Sequence, residues 1–384
     1  MDFRRFVVVI AVLLDMVGFT MIFVDIPLRA EDLGGSGWQI GAILASSFIV
    51  QLLVSPWWGR KSDQLGRKST FVITTAISAI SMLIYAYSGT LWLLLLSRMM
   101  SGLGSANVAI AQASMADDHE GKSRVVWLGR LSAALSVGMI AGPAIGGFIA
   151  SNLGSQVLGL IGFSCSISGA ALVWVFAELR GRQPVKTQPG IRFTAILRDF
   201  PKLAPFVTLS VIAWFALACL EGTFARLLRA NWNYGQQEFG VIFGFESLIG
   251  FLVQAVLLAW ILKFISERRL LFFGYLMQGI GLGLTPFAPG FAVILLLSSI
   301  YALGTGAASP TINSLASSAV PEDRQGELFG MLQSTRAVGF IIGPILGNAL
   351  FDIAPGVPYY FAGLVSVMAA LLVIKIAPQS STAS

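Results

Sequence analysis

Twelve apolar runs follow one another along the chain, roughly at 6–28, 38–58, 70–88, 91–113, 127–150, 156–177, 204–226, 238–262, 269–288, 291–315, 328–350 and 358–376. Each is near the ~20 residues that a helix needs to cross the hydrocarbon of a bilayer. Hydrophobic residues make up 56% of the 384 and charged residues only 11%, with a mean hydropathy of +0.79. That is too little charge to solvate a globular surface of this size, so the expected fold is an all-α membrane protein with the lipid bilayer as its main solvent. The first run, after MDFRR, is too long for a signal-peptide core and lacks a small-residue cleavage site at its end, so it reads as an uncleaved first helix.

The charges that remain are distributed unevenly. The chain carries 25 Lys and Arg and a net charge of +6. Most of the cations fall on one side: Arg4 and Arg5, the Arg60 to Lys68 stretch, Lys122 and Arg124, the segment from Arg180 to Lys202, Lys263 with Arg268 and Arg269, Arg324, and Lys375. Arg29, Arg226 and Arg229 are left on the other face. This asymmetry places both termini in the cytoplasm and explains the basic balance without a nucleic-acid partner. Cys165 and Cys219 both lie inside apolar runs, which argues against a disulfide or a metal site. The single histidine, His119, sits among Asp117, Asp118 and Glu120 and reads as a solvated loop residue. No GxxxxGK[ST] stretch is present, so no cofactor or enzymatic function is expected and the energy source should be an ion gradient.

An internal repeat sets the domain plan. VGMIAGPAIGG, from Val137 to Gly147, returns as VGFIIGPILGN, from Val338 to Asn348. The longest hydrophilic stretch, 178–203, carries Pro184 and Pro189 and falls between the sixth and seventh runs. It reads as a cytoplasmic linker between two pseudo-symmetric six-helix halves, 1–177 and 204–384. Halves built from repeats, with substrate handled near the midplane, are the usual plan of secondary transporters.

Three motifs then become specific. WWGRKSDQLGRKS, from Trp57 to Ser69, resembles the signature between the second and third helices of the major facilitator superfamily. LLLLSRMMSGLGSA, from Leu93 to Ala106, is similar to its fourth-helix motif, and GMIAGPAIGG, from Gly138 to Gly147, to the fifth-helix motif of its drug:proton antiporters. Together with VLLDMVGFTMIF they resemble most the twelve-helix drug exporters, the tetracycline-efflux group included. The resemblance implies a plasma-membrane protein, in a bacterium the inner membrane.

The residues that carry chemistry fall into four sets. Asp15, Glu221, Glu246 and Arg98 are ionisable groups inside apolar runs, each costing about 2.5–3.5 kcal/mol at a helix centre, and are candidates for proton coupling or for balancing substrate charge. Arg98 is a possible ion-pair partner of Asp15, whereas Asp25 lies nearer the outer end of its run, where hydration would suffice. Gly59, Asp63, Gly66, Arg67 and Lys68 form a candidate conformational latch, the glycines permitting a tight turn. Gly138, Gly142, Pro143, Gly146 and Gly147, with Gly343 and Pro344 in the second copy, form a helix-packing hinge in which small residues let backbones approach. Phe19, Phe23, Gln51, Asn107, Gln112, Trp214, Phe245 and Gln254 are candidate cavity residues.

The expected function is a secondary active transporter, a proton-coupled exporter of hydrophobic or cationic small molecules that works by alternating access between the halves. The alternative is a proton symporter importing a sugar or an organic acid, because fold alone does not fix direction. A third reading, a transport-inactive membrane protein that kept the fold, fits poorly with retained membrane carboxylates. Nothing in the sequence demands an oligomer, so a monomer is expected.

Overall fold

The structure is a computed structural model that describes residues 2–117, 121–177, 179, 193–321 and 324–375. His119 and most of the 178–203 linker lie outside the described residues.

Among the described residues there are helices and no strands. In chain order they are α1 (Asp2–Met21), α2 (Ile26–Asp32), α3 (Gly37–Leu65), α4 (Arg67–Ala86), α5 (Leu91–Gly104), α6 (Asn107–Asp117), α7 (Gly121–Phe176) and α8 (Phe193–Asp199). They continue as α9 (Ala204–Trp232), α10 (Gln236–Leu252), α11 (Leu258–Ile261), α12 (Glu267–Leu284), α13 (Phe291–Ser317), α14 (Gln325–Phe351) and α15 (Val357–Lys375). Eleven helical stretches are long and apolar enough to cross a membrane, and one of them, Val126–Phe176, is 51 residues long. That stretch breaks at Gly154, where φ is 84°, and so comprises the fifth and sixth apolar runs, which restores twelve spans. The chain is an all-α, multi-pass membrane protein.

Local chemistry sets the helix ends. Ser36 and Gln39 close a capping box at the start of α3, the Ser36 amide donating to Gln39 Oε1 at 2.9 Å. Thr90 Oγ1 caps α5 by accepting from the Leu93 amide. The first run is not one straight helix, since Ile22–Val24 tightens to a 3-10 turn and Pro27 opens α2. In the eighth run Val253–Leu257 is a π-helical segment between α10 and α11.

The chain divides into two compact units. The first holds 1–188 together with 224–244, and the second 189–223 together with 245–384. The end of the seventh run and the start of the eighth thus group with the first unit, a division that the repeat alone does not suggest. One core of the first unit gathers Val8, Val12, Trp58, Phe71, Met115, Trp127 and Leu131. Another, at its opposite end, gathers Met21, Ile22, Ile26, Tyr85 and Leu158, with Phe19 and Phe23 packed against it. In the second unit Leu209, Leu271, Tyr275, Ile312, Leu328 and Ala369 form the main core.

The two Gly-Pro copies do equivalent work. On α7, Gly138, Gly142 and Gly146 lie against α1, where a methyl group at Gly142 would fall on Thr20 Oγ1 and one at Gly146 on the Met21 carbonyl. On α14, Gly339 and Gly343 lie against α9, where a Cβ would come within 2.5 Å of Trp214 Cβ and 2.7 Å of Ala218 Cβ. Each copy seats a late helix of its half on the first helix of that half, so both serve close backbone packing. Thr20 Oγ1 takes up the room by donating to Gly138 O at 2.9 Å. Gly147 faces elsewhere, towards Gln236 and Gly240.

Candidate functional site

In the first unit Asp15 sits one turn before the Gly142 contact and is buried. Asn107 Nδ2 donates to its Oδ2 at 2.5 Å and Ser166 Oγ to its Oδ1 at 2.7 Å. α6 and the second arm of α7 thus supply one donor to each oxygen. Sequence reasoning chose Asn107 as a cavity residue, whereas the structure makes it a ligand of Asp15. Arg98 is not the partner of Asp15: its three guanidinium nitrogens are buried without a hydrogen-bond partner among the described residues. Its guanidinium lies 5.9 Å from the Tyr85 ring centroid. Ser166 went unnoticed in the sequence because a serine in an apolar helix carries no signal of its own.

Asp25 is not a hydrated end residue. It is 1% exposed. Tyr85 Oη donates a short hydrogen bond to its Oδ2 and Gln236 Nε2 donates to its Oδ1 at 3.0 Å. Beside it Arg29 donates to the carbonyls of Tyr85 at 2.9 Å and Ser88 at 2.7 Å, satisfying the end of α4. A clasp continues outward, with Arg226 Nε 2.9 Å from Glu31 Oε1 and Arg229 2.6 Å from Asp32 Oδ1. The hairpin that joins α9 to α10 is thereby held to α2 by charge, and α10 to α7 by the Gly147 and Gly240 approach.

The latch residues lie where α3 meets α4. α3 runs unbroken through Gly59 to Leu65, so Gly59 forms no turn; its surroundings are open. The turn is Gly66 alone, with φ 86°. Asp63 pairs with Arg67 across it at 3.1 Å, and Arg67 also donates to Ser62 Oγ at 2.7 Å. Lys68 Nζ stands 5.8 Å from the Trp174 ring centroid.

In the second unit Glu221 on α9 and Glu246 on α10 are electrostatic neighbours. Glu221 also feels Arg336 on α14, whose guanidinium lies 5.0 Å from the Trp214 ring centroid and 5.6 Å from that of Phe340. Glu246 is 6% exposed and its Oε2 has no hydrogen-bond partner among the described residues. The same holds for Tyr301 Oη and for both amide atoms of Gln278. The sequence singled out the two glutamates and Trp214 but neither Arg336 nor Tyr301, which reach them only through helix packing.

The remaining cavity candidates disperse. Phe19 and Phe23 pack edge to face at 4.9 Å between centroids. Phe245, Gln112 and Gln254 are exposed, Gln254 lying within the π-helical segment, and Gln51 is half-buried. No group of metal-ligating side chains occurs among the described residues.

Residues 8–256 and 207–384 match the family model of the Major Facilitator Superfamily. The chain belongs to that superfamily. As a facilitator-superfamily protein it is a membrane transporter and not an enzyme. It is 27% identical over 351 residues to Multidrug resistance protein 1 of Bacillus subtilis (strain 168), covering 90% of this chain and 89% of that protein. It is 25% identical over 378 residues to the Quinolone resistance protein NorA of Staphylococcus aureus (strain Mu50 / ATCC 700699), covering 97% and 96%. Among solved structures, nucleoside transporter NupG superposes with a TM-score of 0.81 at 15% identity, covering 97% of this chain and 98% of that one. That likeness establishes the fold.

Proposed function

We propose that this transporter is a proton-coupled exporter of hydrophobic, cationic small molecules. The observation that carries the reading is the pair of neighbouring carboxylates in membrane-spanning helices, Glu246 buried and Glu221 half-buried, with the Arg336 guanidinium in electrostatic reach of Glu221. Such groups are expensive in lipid and are kept where they exchange charge. The names of the two relatives, a multidrug and a quinolone resistance protein, favour export over uptake. Asp15 stands as a third carboxylate of the coupling set. Asp63 and Arg67 act as the latch that fastens and releases as the transporter alternates, and the Gly-Pro helices keep each half rigid meanwhile. The protein works as a monomer in the plasma membrane, in a bacterium the inner membrane, with both termini in the cytoplasm.

The test is purified protein in proteoliposomes under an imposed pH gradient. Lumenal pH is followed while ethidium, tetraphenylphosphonium or a quinolone is added. Proton flux that depends on these compounds supports the reading. Flux that appears only with sugars or organic acids replaces it with the symporter, and no flux with any of them refutes it.

A further inference from the structure

Among the described residues the first unit buries four charged side chains, Asp15, Asp25, Arg98 and Arg226. Three of them are answered. Asp15 is held by Asn107 and Ser166, Asp25 by Tyr85 and Gln236, and Arg226 by Glu31. Arg29, half-buried beside Asp25, directs its donors to the carbonyls of Tyr85, Ala86 and Ser88. Arg98 is the exception. It is 1% exposed, and none of its Nε, Nη1 and Nη2 has a hydrogen-bond partner among the described residues. The titratable side chain in electrostatic reach of it is Tyr85, whose hydroxyl is already committed to Asp25 and whose ring centroid lies 5.9 Å from the guanidinium. A ring face attracts a cation but carries no full negative charge to balance it.

A guanidinium cannot shed its proton to escape burial. An unpaired charge in a low-dielectric interior is therefore costly, and the remedy is an opposite charge that takes its N–H groups. The two buried carboxylates of this unit do not supply it, because both oxygens of Asp15 and both of Asp25 accept from neutral donors. The surroundings also limit the size of the partner. Gly102 stands one turn after Arg98 on the same face of α5, and a Cβ there would fall on the Ser47 carbonyl of α3. At Gly104 a Cβ would come within 2.7 Å of the Ser78 amide nitrogen of α4. With α5 pressed this closely against α3 and α4, the guanidinium is accessible to a monatomic ion and not to a bulky or lipophilic one.

We propose that Arg98 binds one monovalent, monatomic anion of the chloride class as the counter-ion of the first unit. The N–H fork of the guanidinium donates to the ion, and the pair together is neutral. α5 can then carry an arginine inside the bilayer with no acid opposite, while Asp15 and Asp25 keep the donors they have. The site depends neither on what the protein transports nor on the direction, so it stands apart from the export reading.

The test uses the full-length protein, purified in detergent with gluconate in place of chloride at constant ionic strength. Equilibrium dialysis with radiolabelled chloride should show one saturable site per chain, from which bromide competes and gluconate does not. The thermal unfolding midpoint should rise with chloride, by an equal step for each tenfold increase above the dissociation constant, as binding to the folded state alone requires. Arg98→Met, similar in length and uncharged, should lose both the binding and the chloride-dependent step. Arg98→Lys keeps the charge without the fork and should bind about tenfold more weakly. Tyr85→Phe, which keeps the ring and loses the bond to Asp25, should bind as the unsubstituted protein does. Absence of saturable chloride binding by the unsubstituted protein overturns the proposal. Binding that persists unchanged in both Arg98→Met and Arg98→Lys overturns it as well, by placing the ion elsewhere. A protein that binds chloride through Arg98 yet shows no drug-linked proton flux would sink the export reading and leave this site standing.

Discussion

Arg226 and Arg229 stand one helical turn apart on α9 and both reach acids at the end of α2, yet their surroundings predict very different consequences for removing them. Arg226 is buried, and its Nε lies 2.9 Å from Glu31 Oε1, whose side chain is 31% exposed. Arg226→Met keeps the length of the side chain and deletes a charge-assisted hydrogen bond of about 1.5–3 kcal/mol. Glu31 keeps water and a second contact to Arg229 at 3.6 Å, which favours the lower part of that range. A loss of about 2 kcal/mol changes the ratio of clasped to unclasped hairpin about thirtyfold. Arg229 pairs with Asp32 at 2.6 Å, but the Asp32 side chain is 60% exposed. Arg229→Met should therefore cost about 0.2–1 kcal/mol, at most about a fivefold change. Spin labels at Ser36 and Gln237, both exposed, report the separation of α2 from the hairpin on a Cys165→Ser background. Pulsed dipolar spectroscopy should show a long-distance population that rises sharply with Arg226→Met and slightly with Arg229→Met. Equal effects of the two substitutions would refute the argument from burial, and an unchanged distribution in Arg226→Met would refute the clasp. Reversal of the pair, Glu31→Lys with Arg226→Glu, should recover much of the short distance.

Two further outcomes follow from the packing and from the α3–α4 turn. Gly142→Val would drive a branched side chain onto Thr20 Oγ1, so the thermal unfolding midpoint in detergent should fall by the equivalent of at least about 1–3 kcal/mol, whereas Ile145→Val, on an exposed position of the same helix, should leave it almost unchanged. Asp63→Asn removes a half-buried pair worth on the order of 1 kcal/mol to stability, so a transport rate that falls tenfold with no larger loss of stability would mark a latch, and an unaltered rate would reduce the motif to a turn.

Hydropathy made the spans legible because lipid imposes one period of apolar length on every crossing. It was less informative about where helices end. The stretch from Arg60 to Leu65 reads as part of a polar loop, but its residues tolerate helix, and α3 continues through it until Gly66 takes a positive φ. The break at Gly154 was visible as a gap between runs, with its cause in a backbone conformation that glycine adopts freely. The site was legible in its acids and illegible in their company. An ionisable residue in an apolar run announces itself, yet nothing local to Asp15 indicates that Asn107 and Ser166 will meet it, or that Arg98 will not. The clasp was hidden for the same reason, since Arg226 and Arg229 counted only as outer-face charge until packing brought them to Glu31 and Asp32.

The partners of Asp15 also arrive late. Asn107 is 92 residues and Ser166 151 residues downstream of it. At a synthesis rate of about 5–20 residues per second, α1 waits about 8–30 s at the ribosome before the second donor has been made. For that interval a carboxyl group sits in the middle of an otherwise apolar helix without the hydrogen bonds that later satisfy it. The small-residue face of α7 that covers Thr20 and Met21 is equally unmade. The nascent first helix must be kept near water or near the insertion machinery, and the first unit becomes a stable occupant of the bilayer only when its sixth span is delivered.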